Sequence, residues 1–348
     1  MSHQTGVSDE SGELLTQLRD SVRQVIEGTG LLGAEDHIWK PSVELGWLLT
    51  AVPEELDGLG LGNTGTHAIH LELGKGLSGA PYLPATLAID ALCQSTLSDK
   101  SSWLERLTGG ELVTAPLADG DLTLDDSQNL DGTLTAVQSA DIASHVLAWT
   151  NNAEQLLIIA LDQSGLEWQE RKTWDETRRF YDVNLNALPL AKQTRLAQGS
   201  QAKDIVTRLL AQRDFALAAD AVGGATALLA MTVDHLQTRV QFRRPLAMFQ
   251  ALKHRCADMK ALTAASEAML FDALHSAAPE QKATAAKHLA CTSFAKVAEE
   301  SLQLHGGIGM AAEHPCHLFL KRALLNVHLG RGGDMYEQLI AEAFLTGT

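Results

Sequence analysis

The sequence predicts a mostly α chain interrupted once by a small β unit, in the order helices, strands, helices. Three observations carry this. Aromatic residues make up only 5% of the 348 residues, while alanine and leucine abound, which favours helices packed on helices. From about Gly109 to Leu190 the apolar residues fall in short runs separated by turn residues, the pattern of strands. From about Leu196 long, alanine-rich amphipathic segments return and continue.

Taken in order, Leu14, Leu15, Leu18, Val22 and Val25 recur at helical spacing with charged residues between them. Gly46-Trp47 and the run Val52-Pro53-Glu54-Glu55-Leu56-Asp57-Gly58-Leu59-Gly60-Leu61-Gly62 form a glycine-rich connection. Further helices are predicted over 66–77, closed by the turn Gly79-Ala80-Pro81, and over 85–108. The strand section holds apolar runs at 112–117, 134–137, 145–149 and 156–161. Asp131-Gly132 reads as a hairpin turn, and Trp149 and Trp174 as residues of the β core. Segments 204–239, 249–277 and 279–305 suit antiparallel helices of a bundle, broken by Arg244-Pro245, Pro279 and Gly306-Gly307. The units are therefore drawn at 1–110, 111–193 and 194–348.

Lys and Arg number 27 against 43 Asp and Glu, a formal charge of -16. That balance argues against nucleic acid or an anionic membrane surface as the main partner. None of the four cysteines forms a C-x-x-C pair and no His/Cys cluster has zinc spacing, so neither disulfides nor a metal are expected. Residues 1–12 are polar with no apolar h-region, and no run approaches a membrane span, which points to a cytoplasmic location.

Two stretches carry chemistry. Between Arg239 and Lys260 six basic residues (Arg239, Arg243, Arg244, Lys253, Arg255, Lys260) face one acid, Asp258. An arginine fork near a helix start suits a phosphate or pyrophosphate, although on charge alone a solvated basic turn is the commoner case. The second stretch is Gln303-Leu304-His305-Gly306-Gly307-Ile308-Gly309. Paired glycines after a helix let a ligand approach the backbone, but no strand precedes them, so this is not a dinucleotide-binding fingerprint. Cys256, Cys291 and Cys316 read as packing residues, and His254 and His305 as helix residues with no nucleophile beside them.

Together and at this separation, these stretches resemble the acyl-CoA dehydrogenase family. The family pattern R-x-x-F-G-x-P-[IL]-x-x-F-Q recurs at 239–250 with Arg243 in place of the glycine, and Q-x-x-G-G-x-G recurs at 303–309. The N-terminal G-W…V-P-E-E-x-G-G-L-G-[LM]-G block appears at 46–62 with Asp57 replacing one glycine, followed by Glu72-Leu73-Gly74-Lys75. The resemblance covers nearly the whole chain. It implies an acyl-CoA dehydrogenase-like fold: an N-terminal helical domain, a middle β domain and a C-terminal four-helix bundle that mediates oligomerisation. It also implies FAD as cofactor, with Arg239 on its pyrophosphate, Phe242 and Gln250 beside it, and Gln303, Gly306 and Gly307 along the adenosine side. In the family these elements reach across a dimer interface. An acyl-CoA substrate and an electron-transfer flavoprotein or similar acceptor complete the implied partners.

The reaction needs a carboxylate base, which the family places at one of two positions. Gly330 stands at the first, after Lys321-Arg322-Ala323. About 26 residues before Arg239, Arg213 stands at the second, and a guanidinium cannot serve as base. Its neighbour Asp214 is turned by about 100° around a helix and reads as a surface or helix-end residue. The family's T-E-x-x-x-G-S-D stretch is reduced to Val113-Thr114-Ala115-Pro116-Leu117-Ala118-Asp119-Gly120, which weakens the flavin-ring half of the site. Some family members, notably in bacterial steroid side-chain degradation, work as heterotetramers of unlike subunits. This chain resembles the base-lacking kind, completed by a homologous subunit that carries the catalytic glutamate. Two other readings stand beside it: a self-sufficient dehydrogenase using Asp214, and a scaffold that no longer holds flavin.

Overall fold

The computed structural model describes residues 4–31, 35–276 and 278–346; residues 1–3 of the polar amino terminus and Ala277 of the second bundle segment lie outside them. Five helices come first: α1 Gln4–Thr29, α2 Glu35–Glu44, α3 Gly62–Lys75, α4 Tyr82–Gln94 and α5 Lys100–Thr108. The predicted helix over 85–108 is in fact two, because the chain turns at Ser95, whose hydroxyl donates to Leu92 O. Glu72 of α3 is buried and takes the charges of Arg19, Arg23 and Lys75, fixing α1 against α3.

Eight strands follow: β1 Val113–Thr114, β2 Thr123–Leu124, β3 Asn129–Gln138, β4 His145–Trp149, β5 Gln155–Ala160, β6 Leu166–Arg171, β7 Phe180–Pro189 and β8 Thr194–Gln198. They make two four-stranded sheets, ordered β1-β4-β5-β8 and β2-β3-β7-β6. All pairings are antiparallel except β1 with β4. Leu134, Val137, Val146, Leu157, Ile159, Val183 and Leu185 alternate inward from both sheets into one core. The strand series runs to Gln198, past the expected boundary at 193, because β8 pairs with β5.

Three expectations fail here. Asp131-Gly132 is not a turn: it lies inside β3 at a register shift, and a Cβ on Gly132 would overlap Asp121 O. The β2–β3 turn instead uses Gln128 at φ +61°, with the Asp125 carboxylate accepting from Asn129 N–H. Trp174 is 83% exposed, and Trp149 packs on the helix-facing side of its sheet rather than in the core between sheets.

The remaining helices are α6 Gly199–Thr238, α7 Gln250–Leu274, α8 Pro279–His305, α9 Cys316–His328 and α10 Gly333–Thr346. At 40 residues α6 is about 60 Å long and runs through the middle of the molecule. Part of it is long and apolar enough to cross a membrane, against expectation, but 72% of that window is buried by α3, α7 and α8. It is the core helix of a bundle. Gly74 on α3 and Gly223 on α6 let the two backbones meet; a Cβ at either would overlap Asp220 O or Leu71 O.

Two imidazoles buried near this junction give the fold a pH dependence. His67 lies edge-on to Phe215, and burial lowers its pKa from 6.5 to about 4; His70 beside Tyr82 is pushed to about 3 by burial, with His67 adding to the shift. Below pH 6.5 the unfolded chain takes up protons that the folded chain refuses, so stability falls as the pH drops. Between pH 7 and 5 each such histidine should cost roughly 2 kcal/mol. Urea midpoints at the two pH values check this. His67→Gln should flatten the dependence, and an equal slope in wild type and variant would refute it.

Candidate functional site

Arg239 ends α6, its N–H donating to His235 O at 2.9 Å and its carbonyl accepting from Leu246 N–H at 2.9 Å. Residues 240–245 then form a tight hairpin in which Val240-Gln241 pairs with Arg244-Pro245. Its two central residues, Phe242 and Arg243, have φ +51° and +64°, the geometry of a type I′ turn that usually selects Asn-Gly. Arg243 stands where the family has glycine, yet keeps the left-handed backbone. Asp57, the other replaced glycine, does the same at φ +62°. Phe242 stands edge-on to Phe249 at 6.0 Å, and the Arg244 guanidinium sits 4.0 Å over the Phe249 ring.

Gln250 is the first residue of α7, Gln303 lies in the last turn of α8, and Gly306-Gly307 open the short 3-10 turn that follows. The two stretches meet through His235 and His305, whose rings stack at 4.5 Å just before Arg239 and Gly306. Arg239, Phe242, Gln250, Gln303, Gly306 and Gly307 are all exposed, Phe242 at 84%. Gly306 needs its glycine for φ +64°, but Gly307 has ordinary backbone and open space around it. Among the described residues nothing requires the absence of a side chain at Gly307. A ligand or second chain approaching closely from outside would.

The positions expected to hold a base are filled otherwise. Gly330, at φ +85°, is buried and zipped to the 117–119 segment: its N–H donates to Leu117 O at 2.7 Å and its carbonyl accepts from Asp119 N–H at 3.2 Å. A Cβ there would overlap the Tyr336 hydroxyl. That hydroxyl donates to Asp214 Oδ1 at 2.6 Å and accepts from Arg331 N–H at 3.3 Å, while Lys287 Nζ lies 4.1 Å over the ring. Arg213 is fully buried, with Nη1 3.1 Å from Asp119 Oδ1 and Nε 3.5 Å from Asp214 Oδ1. Burial works against its charge, but Asp214, Tyr336 and Asp119 outweigh it and hold the guanidinium ionised. Asp214 is thus no surface or helix-end residue; it is buried in mid-helix and engaged by Tyr336 and Arg213. Tyr336 lies 122 residues from Asp214, and no local pattern links the two.

Beside this network, a cavity of about 460 Å³ lies between the strand unit and α9, lined by Ala118, Ala136, Phe180, Leu325 and Leu329 with Trp174 at its edge. The 113–120 segment that forms part of its wall carries no glutamate.

A helical chain with a β sandwich in its middle, a basic hairpin at one end of a bundle and a glycine turn beside it defines the acyl-CoA dehydrogenase class. Residues 203–342 match the acyl-CoA dehydrogenase C-terminal domain. The chain is 32% identical over 293 residues to the acyl-CoA dehydrogenase IpdE2 of Mycobacterium tuberculosis, covering 84% of this chain and 81% of that one. It is 30% identical to IpdE2 of Mycolicibacterium smegmatis, with 93% of each covered. Among solved structures, the Tcur3481-Tcur3483 steroid acyl-CoA dehydrogenase G363A variant superposes with a TM-score of 0.84 at 26% identity, covering 96% of this chain and 99% of that one. The ChsE4-ChsE5 complex from Mycobacterium tuberculosis gives 0.84 at 21%, covering 95% and 97%. The chain belongs to the acyl-CoA dehydrogenase family, FAD-dependent oxidoreductases acting on a CH–CH bond.

Proposed function

We propose that this chain is the subunit of a hetero-oligomeric acyl-CoA dehydrogenase that contributes the FAD-tail contacts, while a homologous partner supplies the catalytic glutamate. The observation that carries the reading is the split just described. The six expected cofactor contacts face outward, while both base positions are closed by Gly330 with Tyr336 and by Arg213 with Asp119. The units drawn at 1–110, 111–193 and 194–348, with β8 carrying the second on to Gln198, would then divide the work, the last carrying the cofactor and partner surfaces.

FAD fits the outward residues. Arg239 would hold the pyrophosphate, with Phe242 and Gln250 packed beside it. Gln303 would donate toward the adenosine half, and Gly306-Gly307 would let that half lie against bare backbone. Bound in the partner's site, FAD would accept the β-hydride of an acyl-CoA as the partner's base removes the α-proton, and pass the electrons to an electron-transfer flavoprotein or similar acceptor. The role of this chain is to bind, to orient and to exclude water from the cofactor tail. The steroid enzyme among its structural relatives suggests a steroid-type acyl group as the substrate class.

The self-sufficient reading through Asp214 is disfavoured, since that carboxylate is buried and already bonded to Tyr336. The test is co-expression with a base-bearing homologue. The complex should be yellow with one FAD per pair of unlike chains, and Arg239→Ala should lower flavin occupancy at least tenfold while the complex still assembles. A yellow homo-oligomer of this chain alone that dehydrogenates acyl-CoA would overturn the proposal.

A further inference from the structure

A cluster that the sequence hid lies where α8 ends and α9 begins. His305 closes α8, His314 sits on the connecting loop and Cys316 opens α9, a spacing of no familiar metal motif. The fold nevertheless brings one ligand atom from each to within 4.8 Å of the other two. The His305 and His314 rings are 4.7 Å apart, and Cys316 Sγ packs against the His305 ring, 3.7 Å from the nitrogen that keeps its proton. Around a tetrahedral zinc, with Zn–N near 2.0–2.1 Å and Zn–S near 2.3 Å, ligand atoms stand about 3.3–3.7 Å apart. A closure of roughly 1–1.5 Å brings the widest pair to that spacing.

The chemistry of His305 argues against simple packing. Its Nδ1–H donates to Ser301 O at 2.8 Å, which leaves Nε2 as the bare nitrogen. That atom is buried and has no hydrogen-bond partner among the described residues, and the residue is only 5% exposed. A backbone carbonyl fixing one ring nitrogen so that the other can ligate is the usual arrangement around a metal-bound histidine. His314 is half-buried and loses only a 3.2 Å contact from Cys316 N–H in turning toward a metal, so it also provides the way in.

We propose that His305, His314 and Cys316 form a zinc site. Two imidazoles and a thiolate are a borderline-soft donor set that suits Zn(II), with the fourth position left to water. Cys316 would bind as thiolate, its proton passing to solvent as the Zn–S bond forms. Binding requires the thiolate and releases its proton, so the site should load better as the pH rises. The metal would fasten the 306–315 segment between two helices. This inference does not depend on the subunit's role in catalysis.

Cobalt(II) provides the probe. The untagged full-length chain, stripped with chelator and titrated with Co(II), should develop a thiolate-to-cobalt charge-transfer band at one metal per chain, and Zn(II) should displace it. Cys316→Ser should abolish the band, and His314→Ala should weaken binding at least ~100-fold. His317→Ala, one residue beyond Cys316, should change nothing. Circular dichroism confirms that each variant is folded. The proposal is overturned if folded wild type gives no such band, if the band survives Cys316→Ser, or if His317→Ala removes it as well.

Discussion

Arg322→Met should lower the stability of the chain by about 3–5 kcal/mol, the cost of removing one partner from a buried ion pair. Arg322 on α9 has no exposed surface, and it gathers three parts of the molecule. Its Nε donates to Asp175 Oδ2 at 2.5 Å from the strand unit, and Nη1 lies 3.3 Å from Asp220 Oδ1 on α6. Nη2 donates to Leu77 O and Ser78 O at 3.0 and 3.1 Å, and to the Thr177 hydroxyl. Burial alone would raise both carboxyls; the guanidiniums of Arg322 and Arg178 outweigh it and hold Asp175 and Asp220 ionised. Without Arg322, Asp175 loses its directly bonded guanidinium and keeps its bonds to Thr177, and the carbonyls of Leu77 and Ser78 lose that donor. Arg322→Lys should recover part of the loss, because one ammonium cannot span the same four directions. Urea melts of the three proteins decide the matter. A loss below about 1 kcal/mol for the methionine variant would mean that the network contributes little net stability.

Placing a glutamate at Gly330, where the family pattern leads one to expect a base, should fail. Gly330→Glu is expected to cost about 2–4 kcal/mol, since a side chain at φ +85° is strained and its Cβ runs into the Tyr336 hydroxyl. It should also give no acyl-CoA-dependent bleaching of flavin when the chain is purified alone, because the 113–120 segment would still lack its glutamate. Thermal melting measures the first effect and a dye-coupled assay the second. A stable, active Gly330→Glu protein would overturn both expectations.

Much of the fold was legible because it rests on local pattern. The long helices α6, α7 and α8 are written in runs of alanine and leucine, and the hairpin and glycine turn in contiguous motifs. What could not be read depends on pairs far apart in the chain. Tyr336 meets Asp214 across 122 residues and Arg322 meets Asp175 across 147. From sequence alone Asp214 looked like a surface acid and Tyr336 like nothing in particular. Local signals also misled where tertiary context overrode them. Asp131-Gly132 has the composition of a turn, but β7 pairs along it and makes it a bulge. Trp174 has the composition of a core residue but lies at the edge of a cavity that its own chain does not fill. The His305, His314 and Cys316 cluster was invisible for the same reason, its spacing being set by a loop.

The outward-facing hairpin has a consequence for the life of the chain in a cell. Val240, Phe242 and Met248 around it, and Ile308 and Met310 on the neighbouring turn, are all more than half exposed. Apolar side chains grouped in this way seek cover. With this face uncovered the chain would be adhesive, prone to collect on itself or on chaperones as its concentration rises. On the role proposed above, synthesis matched to that of the partner would matter as much to its survival as any contact inside it.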